Sequence, residues 1–220
     1  MKKISIAIDG PSGAGKSTIA DLLAKELNYT HLDTGAMYRA VAYVANKKGI
    51  AYDDEKALVN LISTMNLKMP ADGSVILDDE DISEAIRTNE MSLGASDVSK
   101  LLGVREALVK MQQNISKDGG YILDGRDIGT VVLKDAPVKI YLTASAEARA
   151  QRRLLQNKEK GIEGDYETIL EEINKRDYQD THREHSPLTQ AEDAVVIDSS
   201  NLTIQEVVDE AMKLINEKLK

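Results

Sequence analysis

Gly10-Pro11-Ser12-Gly13-Ala14-Gly15-Lys16-Ser17 fits G-x-x-x-x-G-K-S/T at every position. Its surroundings are also right, with an isoleucine-rich run before it and an amphipathic run after it. Glycines let the backbone curl so that successive N–H groups point inward at phosphate oxygens. The start of the following helix adds a partial positive charge. Lys16 can reach β- and γ-phosphates, and the Ser17 hydroxyl can ligate Mg²⁺. The segment implies binding of a nucleoside triphosphate.

Three further segments could serve a second anion. Asp33-Thr34-Gly35-Ala36-Met37-Tyr38-Arg39 follows an extended run, with Thr34 expected to cap the next helix and Arg39 within reach of a cleft. Asp124-Gly125-Arg126-Asp127-Ile128-Gly129-Thr130 combines an arginine, two carboxylates and two glycines in a way that packing does not explain. Asp124 can hold Mg²⁺ through water or cap the turn. From Tyr166, an apolar stripe of Tyr166, Ile169 and Ile173 continues on the same face as Arg176, Asp180 and Arg183. That pattern fits a helix leaving the core for a polar cleft, against a solvated ladder on a fraying end. Arg149, Arg152 and Arg153 share a helix face just before a break containing Gly161 and Gly164. They suit a lid closing over the triphosphate, against a surface cluster paired with Glu147 or Glu159. Nine of the 28 basic residues are arginine, and only Arg87 falls outside these candidate segments once Arg105 is included.

The elements that would position these groups alternate between strand and helix. Strands are expected at 4–9, 29–33, 121–124, 138–143 and 194–198. Helices are expected at 16–27, 35–48, 53–65, 88–98, 100–117, 145–160, 166–182 and 203–219, with Leu22 on the inward side of the first. Such alternation implies a five-stranded parallel sheet with helices on both faces, an α/β fold. Short extended runs between Leu67 and Ile82, broken by turn signals, suggest a small antiparallel sheet within an insertion spanning 62–100. The whole chain reads as one domain, with about 149–165 as the lid.

Composition narrows the class. Length is 220 residues, hydrophobic content 42% and charged content 30%, which excludes a disordered or fibrous chain. The net charge of −9 argues against broad binding to nucleic acid or anionic membrane. No cysteine is present, which excludes disulfides and thiolate metal sites and fits a reducing compartment. No run suits a membrane span, and the opening residues are too short for a signal peptide, so a cytoplasmic location is expected. A GTP switch is disfavoured, because Asn46-Lys47-Lys48-Gly49 lacks the aspartate of N-K-x-D. A small-molecule kinase fits best at this point, with an ATP-dependent regulatory module as the non-enzymatic alternative.

Five segments in order resemble the bacterial cytidylate kinase family: the GPSGAGKS cradle, Asp33–Arg39, Val104–Leu108, Asp124–Thr130 and Arg176–Arg183. The resemblance spans Ile4 to about Leu188. It implies a P-loop kinase core with a monophosphate-binding insert and a short lid. It also implies γ-phosphoryl transfer from ATP, with Mg²⁺, to CMP or dCMP; nothing in the sequence demands a dimer, so a monomer is expected. Carried over, Gly10, Pro11, Ser12, Gly13, Ala14, Gly15, Lys16, Ser17 and Thr18 would hold ATP. Thr34, Arg105 and Asp127 would face cytosine, and Ser96, Arg176 and Asp180 would lie near the ribose. Arg39, Arg126 and Arg183 would grip the acceptor phosphate. Lys16, Arg126, Arg149, Arg153 and Arg183 would be catalytic, and Ser17 would ligate the metal.

Overall fold

A computed structural model describes residues 3–159 and 161–219. Five parallel strands form one sheet: β1 (Ile6–Asp9), β2 (Thr30–Asp33), β6 (Tyr121–Gly125), β7 (Val138–Thr143) and β8 (Val195–Asp198), in the order β2-β6-β1-β7-β8. Side chains alternate across it. Ile6, Ile8, Ile122, Ile140 and Leu142 pack on the face covered by α1 (Lys16–Leu27) and α8 (Ile204–Leu219). Ala7, Leu32 and Leu123 pack on the opposite face, against α2 (Thr34–Lys48) and α5 (Leu102–Ser116). A fully buried Leu or Ile contributes roughly 1.5–3 kcal/mol, so two such layers form a firm base for a charged cleft.

The polar residues that end the strands line up along one edge of the sheet. Asp33 is in register with Asp124, Asp9 with both Gly125 and Tyr141, and Thr143 with Asp198. The carboxyl edge of a parallel sheet, near the crossover between its halves, is where such folds hold ligands.

Between α2 and α5 lie α3 (Glu55–Thr64), α4 (Asn89–Val98) and an antiparallel sheet of β3 (Leu67–Lys68), β4 (Ile76–Leu77) and β5 (Glu80–Asp81). The expected meander is therefore present, with strands of only two residues each. On the other side, α6 (Ala146–Glu159) leads to α7 (Tyr166–His182). Ser145 caps α6 by accepting from Ala148 N at 3.1 Å. The expected helix end at Lys160 lies outside the described residues, as do positions 1, 2 and 220 of the expected domain.

Two local readings need correction. Asp33, not Thr34, caps α2: its carboxylate accepts from Ala36 N at 3.0 Å. Leu22 is 37% exposed, because the inward stripe of α1 is filled by Ile19, Ala20, Leu23 and Ala24.

Candidate active site

A cavity of about 770 Å³ opens at the carboxyl edge, walled by the cradle, α2, α4, the turn after β6, α6, α7 and the loop before α8. Every candidate site residue lines it except Gly10 and Pro11. Those two shape the cradle from behind. A Cβ on Gly10 would meet Leu142 O at 1.9 Å, so only glycine lets the chain cross β7 there. Pro11 O accepts from Lys16 Nζ at 2.8 Å. Gly15, at φ 92°, turns the chain into α1.

Nine cationic side chains line the cavity against five carboxylates, although the whole chain is acidic. Eight of them are arginines. Arg87, which sequence placed in no cleft segment, is instead exposed and paired with Glu84 at 3.2 Å. The planar guanidinium groups have thus been concentrated where phosphate oxygens can be gripped in pairs.

At one end, burial, with help from Arg126, pushes the Lys16 ammonium down to about 7, although Asp124 and Asp180 oppose the shift. Ser17 Oγ donates to Asp124 Oδ2 at 3.1 Å. Asp124 Oδ1 meets His31 Nε2 at 2.7 Å, and His31 Nδ1 meets Asp21 Oδ1 at 2.7 Å. Burial opposes a charge on His31, but the two carboxylates outweigh it and raise the imidazole to about 9. Arg149 packs beneath the cradle. It donates to Ser12 O at 3.1 Å and forms a two-pronged pair with Asp177 at 3.0 and 2.5 Å. Among the described residues, the alternative partners Glu147 and Glu159 form no ion pair with the three arginines, and Arg149 pairs with Asp177 instead. Arg152 donates to the oxygens of Ser199, while Arg153 is exposed on the cavity wall. Leu202, Ile204 and Val207 make this end apolar on one side.

At the other end, Thr34 Oγ1 donates to Asp124 O at 2.7 Å, which leaves its oxygen free to accept. Arg39 Nη2 donates to Asp33 Oδ2 at 2.7 Å. Arg105 pairs with Asp127 at 2.5 Å, both buried, with the Tyr38 ring 5.7 Å from its guanidinium carbon. Arg183 lies 3.9 Å from Asp127 and donates to Ser186 O at 2.7 Å. Arg126 Nε donates to Asp180 Oδ2 at 2.7 Å. Burial opposes the Asp180 charge, yet Arg126, Arg176 and Arg183 hold its carboxyl below the usual range. Arg176 is lowered to about 10 by burial and by repulsion from Arg126. Ser96 faces the cavity from α4.

Several donors at this end have no protein acceptor among the described residues: Arg39 Nε, Arg105 Nε, Arg176 Nε and Arg183 Nη2. Buried donors without acceptors cost about 1–3 kcal/mol each. Four converging on one cavity fit a ligand rich in oxygen acceptors. The charge-bearing stripe on α7 enters the cleft as its spacing suggested. Asp9, His31, Asp177 and Ser199 also hold parts of the site, and sequence reasoning did not single them out.

A parallel sheet in this strand order, with a phosphate cradle after β1 and an arginine-rich cleft at its carboxyl edge, defines a P-loop kinase fold. A solved structure of an uncharacterized protein from Eubacterium ventriosum shares the fold, with a TM-score of 0.54 at 14% identity over 97% of this chain and 99% of that one. The family model for cytidylate kinase matches residues 6–217. A cytidylate kinase of Caldicellulosiruptor bescii is 54% identical over 97% of this chain and 96% of its own length. One of Enterococcus faecalis is 51% identical over 99% and 98%. The chain belongs to the cytidylate kinase family.

Proposed function

We propose that this chain transfers the γ-phosphoryl group of ATP to CMP or dCMP, releasing ADP and CDP or dCDP. The observation that carries this reading is the gathering of eight arginines around one cavity that ends in the phosphate cradle. Gly10 to Thr18 cradle the ATP phosphates, and the apolar wall of Leu202, Ile204 and Val207 takes the adenine. Residues 62–100 form the monophosphate side, and residues 149–165 act as a lid that carries Arg153 and hinges at Arg149, which stays anchored against the cradle. The chain works as a monomer in the cytoplasm.

Cytosine carries an amino donor at N4 and acceptors at N3 and O2. Asp127 and the Thr34 oxygen, whose proton is given to Asp124 O, accept from the amino group, while Arg105 serves the acceptors of the remaining edge. Uracil reverses the pattern at positions 4 and 3 and faces repulsion. Ser96, Arg176 and Asp180 sit by the ribose. Arg39, Arg126 and Arg183 hold the acceptor phosphate, which is anionic at neutral pH and needs no strong general base. Its oxygen attacks the γ-phosphorus as the bond to the ADP oxygen breaks. Lys16 and the arginines offset charge that spreads over the migrating group.

The Ser17 hydroxyl beside the Asp124 carboxylate offers hard oxygen ligands suited to Mg²⁺. Among the described residues no cluster of three or more metal-binding side chains exists. Ser17 would therefore hold the ion directly and Asp124 through water, with phosphates supplying the rest. An ion held there would supply charge neutralisation to the phosphates.

A coupled ADP assay over CMP, dCMP, UMP and AMP tests the reading. Cytosine nucleotides should exceed the others by roughly 10²-fold or more in kcat/KM. Equal turnover of CMP, UMP and AMP would refute it.

A further inference from the structure

Asp9 ends β1 beneath the cleft, 4% exposed, and does not line the cavity. Its Oδ1 accepts from Ile128 N and its Oδ2 from Gly129 N, both at 2.7 Å. Those two N–H groups open a wide helical turn in which Val132 N reaches Asp127 O at 3.2 Å and Leu133 N reaches Ile128 O at 2.7 Å. The first donors of any helical turn lack an acceptor within it. A hydroxyl or amide from β1 could satisfy one of them, whereas a carboxylate satisfies both at once.

The location gives the contact its meaning. Gly10, the first residue of the cradle, follows Asp9 directly. Arg126 and Asp127 directly precede Ile128. We propose that Asp9 is a positioning residue that fastens the Arg126–Asp127 turn to the strand bearing the cradle, and so fixes the spacing between acceptor and donor phosphates. The proposal deepens the reading of Arg126 and Asp127 as acceptor contacts and rests on it.

Charge around Asp9 comes from each element packed against it. Lys16 attracts it from α1, and Asp127 repels it from the turn. Tyr141 lies beside it in β7. The Lys139 stem also packs near Gly129, with its ammonium engaged by Lys134 O and Asp193. Burial pushes the Asp9 carboxyl up to about 6; the two N–H bonds oppose this, Asp127 adds to it and Lys16 reduces it. Above that pH both oxygens accept. Below it, a proton occupies one oxygen and only one clean acceptor remains. The raised value also means that ionised Asp9 destabilises the fold at neutral pH, relative to its protonated form.

Asp9→Asn keeps the shape and one acceptor but turns an amide donor toward the other N–H. At pH 8 it should lower kcat/KM for CMP by about tenfold or more, the equivalent of one charge-assisted hydrogen bond. KM for ATP should change less than about threefold. The CMP phosphate titrates in the same region, so the quantity to read is the parent-to-variant ratio at each pH, in which substrate ionisation cancels. That ratio should shrink toward unity as pH falls through about 6. A ratio flat from pH 5 to 8, or an unaltered CMP constant in the variant, would overturn the proposal. A second measurement uses the parent alone, without substrate. Amide exchange at Ile128 and Gly129, normalised to intrinsic rates, should lose protection below about pH 6, and unchanged protection would overturn the clamp. Failure of the acceptor-site reading would show separately, as normal CMP turnover in Asp127→Asn while the exchange result stands.

Discussion

Asp127→Asn separates specificity from scaffolding. The Asp127 carboxylate is buried against Arg105 at 2.5 Å, with Arg183 at 3.9 Å. The amide keeps one oxygen for Arg105 but loses the charge that two guanidinium groups face. Removing one partner of a buried pair outright costs about 3–5 kcal/mol, so the isosteric change should cost about 1–3 kcal/mol of stability. In a chain of this size that lowers Tm by about 2–12 °C, and assays should run well below the new midpoint. The amino group of cytosine loses a charged acceptor worth about 1.5–3 kcal/mol, or roughly 10- to 150-fold in kcat/KM for CMP. KM for ATP should stay within about twofold of the parent, since the cradle is untouched. The new amide can donate to O4 of uracil, so the CMP-to-UMP ratio should narrow as well. Steady-state kinetics with each monophosphate, together with ATP titrations, read all of these. Parallel losses toward ATP and CMP would mean that Asp127 serves the fold through Arg105, and the base-recognition argument would fail.

Arg183→Met should raise KM for CMP and slow transfer by about tenfold or more, because a cation at the acceptor phosphate is lost; Arg87→Met, at an exposed position that does not line the cavity, should leave kcat/KM within about twofold. ATP binding should take up protons. Lys16 sits near pKa 7 in the ligand-free protein, and polyphosphate charge should raise it, so calorimetry at pH 8 in buffers of different ionisation enthalpy should report close to one proton bound. Lys16→Met should abolish that uptake, and proton release by the parent would contradict the assignment. His31 is raised to about 9, so its contribution is fully present below the unfolded value of 6.5 and disappears as pH rises through 9. His31→Gln should therefore lose stability relative to the parent by up to about 3 kcal/mol at pH 6, with a narrowing gap between pH 6.5 and 9.5 in denaturant titrations.

Features carried by neighbouring residues were legible in the sequence. The cradle and the Asp124–Thr130 turn are contiguous, and the α7 stripe follows helical period, so local spacing placed Lys16, Arg126, Asp127, Arg176, Asp180 and Arg183 on one cavity. Arginine usage also carried information, because the one residue left without a cleft segment proved to be the one on the outer surface. What stayed hidden depends on partners far apart in the chain. Asp9 looks like the polar end of a strand until Ile128 and Gly129 fold over it. Nothing near His31 announces Asp124, and nothing near Arg149 announces Asp177. Asp33 and Thr34 are both good capping types, so the sequence alone does not separate them as the cap of α2. Only the fold reveals that Asp124 O takes the Thr34 hydroxyl, so that Asp33 does the capping.

The central claim is that one cavity holds both nucleotides at once, with its cations converging on a single migrating phosphoryl group. A compound joining cytidine to adenosine through five phosphates would occupy both ends together. It should compete with ATP and with CMP alike, and its binding should fall sharply in both Lys16→Met and Arg183→Met. Competition against ATP alone, with CMP binding undisturbed, would contradict the shared cavity.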